Sequence, residues 1–290
     1  MGSLWGHLDE GVAFIVLGLW WMYNIFKRYI QAGRTDSYET CVSYELDFRG
    51  RKLNFEIYGK IFVSIGGFLI ELFNNGNHIG FMDENGSFQR ISSLQHMSIY
   101  TLFILNGVID LLRYRTLLII EGLEYLSLSM AFAWYGLVFY FHTSSGHADE
   151  LETVVHSLGI VWCLGAAISI LWECRTVDKF LPNYCRSLMV LSLGTWFFHV
   201  PFYLYDSRGF PGGDPNPAWD RHDRSNAQFI ATMFGFHILL NITISLLLFA
   251  VMRLVYMRIV GGTKGHVMFH RIPNDVSELE EEPCLLEEEM

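Results

Sequence analysis

Eleven histidines are the residues of this sequence with the most chemistry to offer, and their placement among long apolar runs limits what that chemistry can be. His142, His147 and His156 fall in one polar hairpin, residues 139–159 (FYFHTSSGHADELETVVHSLG), between two runs long enough to cross a bilayer. Set against the spans given below, His7, His78, His96, His142, His147, His156, His199, His222 and His237 lie in loops of one face or in the half to middle of a span nearest that face. Only His266 and His270 belong to the other face. At a rise of about 1.5 Å per residue, His96 and His156 stand near the starts of their helices and His142 at the end of its own, with His199 about 9 Å and His237 about 16 Å inside. Glu71 approaches the same layer from the second span.

Imidazoles from several helices beside a carboxylate are the ingredients of a transition-metal site, zinc foremost, since zinc takes N and O ligands in tetrahedral geometry. The expected ligand set is His96, His142, His156, His237, His199, Glu71 and His7. The same groups also suit a proton relay, because histidine titrates near neutral pH. A single interfacial histidine more often serves as an amphipathic anchor with its ring satisfied, and the loop residues His78, His147 and His222 are expected simply to be exposed.

The elements that would carry these residues are membrane helices. The 290 residues are 51% hydrophobic, 16% aromatic and 17% charged, whereas charged residues make up about a quarter of a soluble domain. Seven spans are expected, at 11–29, 57–75, 95–112, 117–141, 153–173, 187–205 and 226–252, each near the ~20 residues a bilayer core requires. The fold class is thus an all-α integral membrane protein, a seven-transmembrane-helix bundle over residues 1–258 followed by a disordered acidic tail, 259–290. The first run follows Asp9 and Glu10 and precedes Lys27 and Arg28, which marks a retained helix and not a signal peptide. Of the 20 Lys and Arg residues, 16 flank spans on the face opposite the histidines, and only Arg90, Arg208, Arg221 and Arg224 share the histidine face. This bias places the N-terminus in the lumen or outside the cell and the C-terminus in the cytosol.

Lesser signals fit that orientation. Asn85-Gly86-Ser87 is an N-glycosylation sequon in an expected lumenal loop, and no cysteine falls in such a loop, so no disulfide is expected. Cys174 and Cys185, near a membrane edge, have the placement of palmitoylation sites, although inert thiols are the simpler reading. Asp110 is expected to pair with Arg113 or Arg115, and Glu121 and Glu124 with the same arginines. Pro201 is expected to kink the sixth span, and Asn241 to hydrogen-bond between helices. Gly66-Gly67 suits close helix packing, not phosphate binding. Nucleic-acid binding is excluded by the absence of a basic patch with interleaved aromatics. No Walker A run, nucleophile elbow or H-E-x-x-H helix occurs, and no catalytic residue is assigned.

The net charge of -10 owes much to the tail, whose last fourteen residues, SELEEEPCLLEEEM, hold seven glutamates. Within it Glu281, Leu285 and Leu286 form an E-x-x-x-L-L pattern similar to acidic dileucine signals, in which two leucines fill an apolar pocket of a clathrin adaptor and the carboxylate meets a basic patch.

Gly6-His7, Gln95-His96, Phe139-Tyr140-Phe141-His142, His156-Ser157-Leu158, Gly194-Thr195-Trp196-Phe197, Trp219-Asp220, Phe229-Ile230 and His237 occur in an order and spacing that resembles the transmembrane protein 45 family. The resemblance covers nearly the whole chain from Gly2 to about Met257. It implies several membrane helices and residence in Golgi, endosomal and plasma membranes, and it singles out His7, His96, His142, His156 and His237. It also implies a glutamate where this chain has Tyr135 and a glutamine where it has His199, so a ligand set built on the family is altered here.

The function expected is that of a non-enzymatic trafficking or membrane-organising factor with a lumen-facing, metal-binding histidine and carboxylate site. Its partners would be the bilayer, a clathrin adaptor complex reached through the tail, and a second copy of the chain. Two alternatives stay open: a zinc-dependent intramembrane lipid hydrolase, which needs three protein ligands, an open fourth position and an apolar pocket, and a proton- or metal-coupled transporter, which needs a polar path from the histidines to Asp110, Glu121 and Glu124.

Overall fold

The computed structural model describes residues 4–33, 38–73, 80–117, 120–143, 149–205, 220 and 222–260. His78, His147, His266, His270 and the tail with Glu281, Leu285 and Leu286 lie outside the described residues. The elements are α1 (Leu4–Ala32), a hairpin of β1 (Leu46–Phe48) and β2 (Arg51–Leu53), α2 (Phe55–Phe73), α3 (Ile91–Tyr114), α4 (Leu123–Thr143), α5 (Glu150–Arg175), α6 (Phe180–His199), α7 (Pro201–Leu204) and α8 (Arg224–Val260). Among the described residues each of the seven expected spans overlaps a long helix. The fourth begins later than expected, at Leu123, because Gly122 takes a left-handed φ of 79° and starts the helix there. The sixth breaks at Val200 before Pro201, which has no N–H to continue the ladder.

Helices adjacent in the packing order run antiparallel, whereas α8 is antiparallel to α6 and parallel to α1 and α5. Packing follows the order α2, α3, α4, α5, α6, α1, and α8 lies across α5, α6 and α1. One end of the bundle gathers the start of α1, the α2–α3 and α4–α5 connections and α7; this is the histidine end. The other, the basic end, gathers the 38–54 segment and the α3–α4 and α5–α6 connections. At the histidine end Asn85 is exposed on a tight turn whose Gly86 has φ of 79°, and Asp83 accepts hydrogen bonds from the backbone N–H groups of Asn85 (2.9 Å) and Ser87 (2.8 Å). Those bonds hold the Asp83 carboxyl below its usual range.

Four segments, α3, α5, α6 with α7, and α8, are long and apolar enough to cross a membrane by length and composition. In α2, Glu56, Lys60 and Glu71 interrupt the apolar run, and all three are bonded to partners inside the bundle. The helices turn large apolar side chains outward, among them Phe62 on α2, Ile168 on α5 and Leu246 on α8.

The tightest contact is between α1 and α6. A Cβ at Gly194 would lie 2.4 Å from the Ile15 backbone nitrogen, one at Gly11 2.5 Å from that of Phe198, and one at Gly18 2.6 Å from that of Leu191. Only glycine lets two backbones approach so closely. At mid-height Phe14 of α1 meets Phe103 of α3 (6.3 Å between ring centroids) and Phe132 of α4 (6.0 Å), and Phe103 and Phe132 are 5.3 Å apart. This makes an aromatic waist across the bundle.

The seam gives the first prediction. Gly194→Leu forces the α1 and α6 backbones apart and is expected to cost about 3 kcal/mol by overpacking. Gly235→Leu on α8, where a Cβ meets nothing within 4 Å, is expected to melt like wild type. Equal melting temperatures for both variants in detergent would show that the seam does not hold the fold.

Candidate functional site

At the histidine end, backbone capping places the side chains. Arg90 takes a left-handed φ of 56° before α3 and donates from Nη2 to the last carbonyls of α2, those of Glu71 (2.7 Å) and Leu72 (3.1 Å). With the two helix ends tied, His96 Nδ1 donates to Glu71 Oε1 at 2.8 Å. Across the bundle Asp149 caps α5, accepting from the Glu152 N–H at 2.8 Å. That sets Glu152 Oε1 3.7 Å from Nε2 of His142 at the end of α4. One turn further along α5, buried His156 bonds through Nδ1 to the Glu152 carbonyl at 2.8 Å. A carbonyl only accepts, so Nδ1 carries the proton and Nε2 presents its lone pair.

The rings form a row. Centroid separations are 6.3 Å from His96 to His142, 5.3 Å from His142 to His156 and 6.1 Å from His156 to His7 of α1. His7 also stacks on Phe197 at 6.0 Å. A third carboxylate joins from α1: Glu10 accepts from Tyr135 at 2.8 Å and from Tyr100 at 3.5 Å. Tyr135, at the position where the resemblance implies a glutamate, thus binds a carboxylate instead of supplying one.

His96, His142, His156, His7 and Glu71 therefore converge. His199 and His237 do not join them. They form a separate pair, His199 Nδ1 to His237 Nε2 at 3.0 Å, extended by Tyr203 (3.2 Å from His199) and Thr195 (3.3 Å from His237). Helix α6 divides the two sets: Phe197 faces His7 while Trp196 lies 5.3 Å from His237. Asn241 makes the expected interhelical bond, donating to Thr195 at 2.9 Å. His222 is exposed. Two imidazoles on one tetrahedral zinc place their centroids about 5 Å apart, a spacing that His142 and His156 match and their neighbours exceed. Among the described residues, no three of His, Cys, Asp and Glu are set to hold a metal ion.

The basic end holds a second polar constellation, most of it unforeseen. Arg186 is fully buried. Its Nε lies 2.9 Å from Glu173 Oε2, its Nη1 donates to the Val42 carbonyl (2.8 Å) and its Nη2 to that of Cys41 (3.1 Å), and the guanidinium sits 4.3 Å from the Trp21 ring centroid. Glu56 accepts from Trp20 (2.9 Å), Trp21 (2.8 Å) and the Tyr44 N–H (2.8 Å). Asn183 donates to Tyr38 (2.8 Å) and to the Thr40 hydroxyl. Residues 38–45 thus fold back into the bundle as a plug. Burial pushes the Tyr38 phenol up to about 12 and the Cys41 thiol up to about 11, so both stay protonated and pack as neutral groups.

Asp110 pairs not with Arg113 or Arg115 but with Lys60 of α2, at 2.6 Å, and Lys60 also reaches Asn106 at 2.8 Å. An arginine on the same helix turn lay nearer in sequence, but the α2–α3 packing brings Lys60 closer. Arg113 binds Glu124 at 2.9 Å, as expected.

Residues 121–250 match the model of a family described as a family of unknown function, DUF716. That match covers α4, α5 and α6 and most of α8. The chain is 27% identical over 154 residues to transmembrane epididymal protein 1 of Homo sapiens and spans about half of that relative's length, 51%. It is 24% identical over 251 residues to transmembrane epididymal protein 1A of Mus musculus, covering 83% of this chain and 78% of the relative. A similar relation holds for transmembrane epididymal protein 1 of Rattus norvegicus, 24% over 256 residues. With apolar helices of spanning length and relatives that are transmembrane proteins, the chain is an integral membrane protein.

Arg186→Leu leaves the Glu173 charge buried without its partner and is expected to cost about 3–5 kcal/mol. The double variant Arg186→Leu, Glu173→Leu should recover much of that loss in a denaturant titration. A single variant as stable as wild type would contradict this account.

Proposed function

We propose that the chain is a non-enzymatic, multi-pass trafficking or membrane-organising protein whose histidine end faces the lumen and responds to protons there. All seven long helices cross the bilayer in this reading, with the basic end in the cytosol, in accord with the division of 16 basic residues against 4. The resemblance to the transmembrane protein 45 family supports a Golgi, endosomal or plasma-membrane residence, and Asn85 is then a lumenal glycosylation site.

The observation that carries the proposal is the 2.8 Å bond between His96 and Glu71, echoed by the 3.7 Å approach of His142 to Glu152. An imidazole holds a carboxylate most strongly when the ring is protonated and the carboxylate is not, and the pH of secretory and endocytic compartments spans the range in which histidine titrates. The groups that face the His96 pair are Glu10 from α1, Arg90, Ser93 and Tyr100 at and within α3, and His142 from α4, whose ring lies 6.3 Å from that of His96. Each contact ties two helices, so protonation would adjust how α2 meets α3 and how α4 meets α5.

A second reading, zinc or another transition metal, is favoured by the Nδ1 tethers of His96 and His156. A histidine that ligates through Nε2 is commonly held in this way by a carboxylate or carbonyl on its other nitrogen. Closing such a site requires His142 to leave Glu152 and turn toward His156. The lipid-hydrolase reading has less support, since the cavity described for the bundle lies at the opposite end from the histidines.

Melting the purified chain at pH 7.5 and 5.5 tests the proton reading. Protonation strengthens the His96 bond only while Glu71 is an anion. Relative to Glu71→Gln, the wild type is therefore expected to gain about 1 kcal/mol on acidification; an identical pH response in the two would end the proposal. Elemental analysis of wild type against a His96→Ala, His156→Ala double variant tests the metal reading, which near-zero metal in both would remove. For trafficking, Leu285→Ala with Leu286→Ala is expected to raise surface abundance, and an unchanged distribution with no adaptor bound to the wild-type tail would count against it.

A further inference from the structure

The hairpin of β1 and β2 stands clear of the bundle that carries it. Its two central turn residues, Arg49 and Gly50, have φ of 53° and 76°, the left-handed pair that suits a two-residue turn between twisted strands. Gly50 donates its N–H to Asp47 Oδ1 at 3.1 Å, which closes the turn. Every residue of both strands is exposed, and a Cβ at Gly50 would meet nothing within 4 Å. The register pairs Leu46 with Leu53, Asp47 with Lys52 and Phe48 with Arg51. The pleat therefore puts Leu46, Phe48, Leu53 and Arg51 on one face and Asp47 and Lys52 on the other.

Place and charge say what covers the apolar face. Asn54 alone separates β2 from α2, and the burial of Asn54 and Glu56 fixes that joint. Strands of three residues are about 10 Å long, so the whole hairpin stays close to the start of α2. There Phe55, Tyr58 and Phe62 recur at spacings of three and four, with Phe55 66% and Phe62 79% exposed, and begin the stripe that α2 turns toward lipid. The head-group layer beside that edge is about 5–8 Å deep, which leaves the hairpin within its reach. As for charge, Arg49 and Arg51 flank Gly50 at the tip, Lys52 follows, and Arg115 at the end of α3 donates to the Tyr58 hydroxyl at 3.4 Å. The acids of the segment are both engaged, Glu45 lying 3.6 Å from Lys52 and Asp47 holding the turn. Leucines and aromatic rings set among such cations are the composition of an element that lies on an anionic membrane surface.

We propose that this hairpin is an interfacial anchor for anionic phospholipid. Leu46, Phe48 and Leu53 enter the boundary between head groups and acyl chains, while Arg49, Arg51 and Lys52 meet the lipid phosphates and carboxylates through charge-assisted bonds. With the basic end in the cytosol, as in the function proposed for the chain, the leaflet is the one that carries phosphatidylserine and phosphoinositides. The anchor itself needs only an anionic leaflet at the basic end.

The test places the full purified chain in nanodiscs of phosphatidylcholine, with and without phosphatidylserine, and follows amide hydrogen exchange over residues 46–53. Exchange is expected to be at least about fivefold slower with phosphatidylserine, the effect of a single cation at an anionic surface. In the Arg49→Gln, Arg51→Gln, Lys52→Gln variant the ratio between the two discs is expected to return to one. Phe48→Trp is expected to add fluorescence that lipids brominated on their acyl chains quench. Equal exchange of the wild type in both discs, a phosphatidylserine response that the glutamine variant keeps, or added fluorescence that the brominated lipids leave unquenched would overturn the proposal. Protection already present in phosphatidylcholine, and lost when the chain is cut after Val260, would overturn it in favour of the acidic tail as the occupant. Because the discs carry the lipid in both leaflets and the histidine end is untouched, the outcome is independent of orientation and of the proton reading.

Discussion

One guanidinium organises the basic end. Arg186 is fully buried in a membrane protein, where an unpaired charge costs several kcal/mol, and its bonds come from four separate parts of the chain: Trp21 on α1, the carbonyls of Cys41 and Val42 in the plug, Glu173 on α5, and Asn183 on its own helix. Each of those partners must be in place for the others to be tolerated. The plug cannot leave without exposing two carbonyls and an arginine to the bundle interior, and α1 cannot slide without losing the ring over the cation. The glycine seam acts in the same direction. By letting α1 and α6 approach to backbone contact, it brings Trp21 and Arg186 onto one level and sets His7 beside His156 at the other end.

The long helices were legible in the sequence because an apolar run of about twenty residues has few alternatives. The convergence of His96, His142, His156, His7 and Glu71 was legible too, since counting residues along a helix gives depth. Depth is not azimuth, which is why His199 and His237 were grouped with the rest. They reach a similar height but face the opposite side of α6, and only the packing of α8 against α5 and α6 reveals this. Arg186 and Glu173 were hidden for a related reason. A charged residue near the end of an apolar run reads as an interfacial flank, and no local pattern says that a loop from elsewhere will fold over it. Glu10 was likewise read as a flank of the first helix, yet it accepts hydrogen bonds from Tyr135 and Tyr100 inside the bundle.

Tyr135 of α4 donates to Glu10 of α1 at 2.8 Å, so α4 meets this end of the bundle through a phenol while α1 supplies the carboxylate. The helix that carries this carboxylate also carries His7, so α1 contributes both an acid and a base beside the histidine row.

Among the described residues an aromatic layer stands between the two polar constellations. Between Glu10 and Tyr100 on one side and Asn106, Lys60 and Asp110 on the other stand Phe14, Phe103 and Phe132, with ring centroids 5.3 to 6.3 Å apart. A row of phenylalanines offers no hydrogen-bond partner to water or to an ion, so a coupled transporter would have to part α1 from α3 and α4 at this level. The seam opposes that motion, because the backbone of α1 is locked against α6 by glycines at residues 11, 18 and 194, above and below the waist. What joins the ends instead is α1 itself, a helix of 29 residues with Glu10 and His7 at one end and Trp20, Trp21 and Arg28 at the other. Any displacement of α1 therefore moves the side chains of both ends together, those of the histidine row and those that hold the plug.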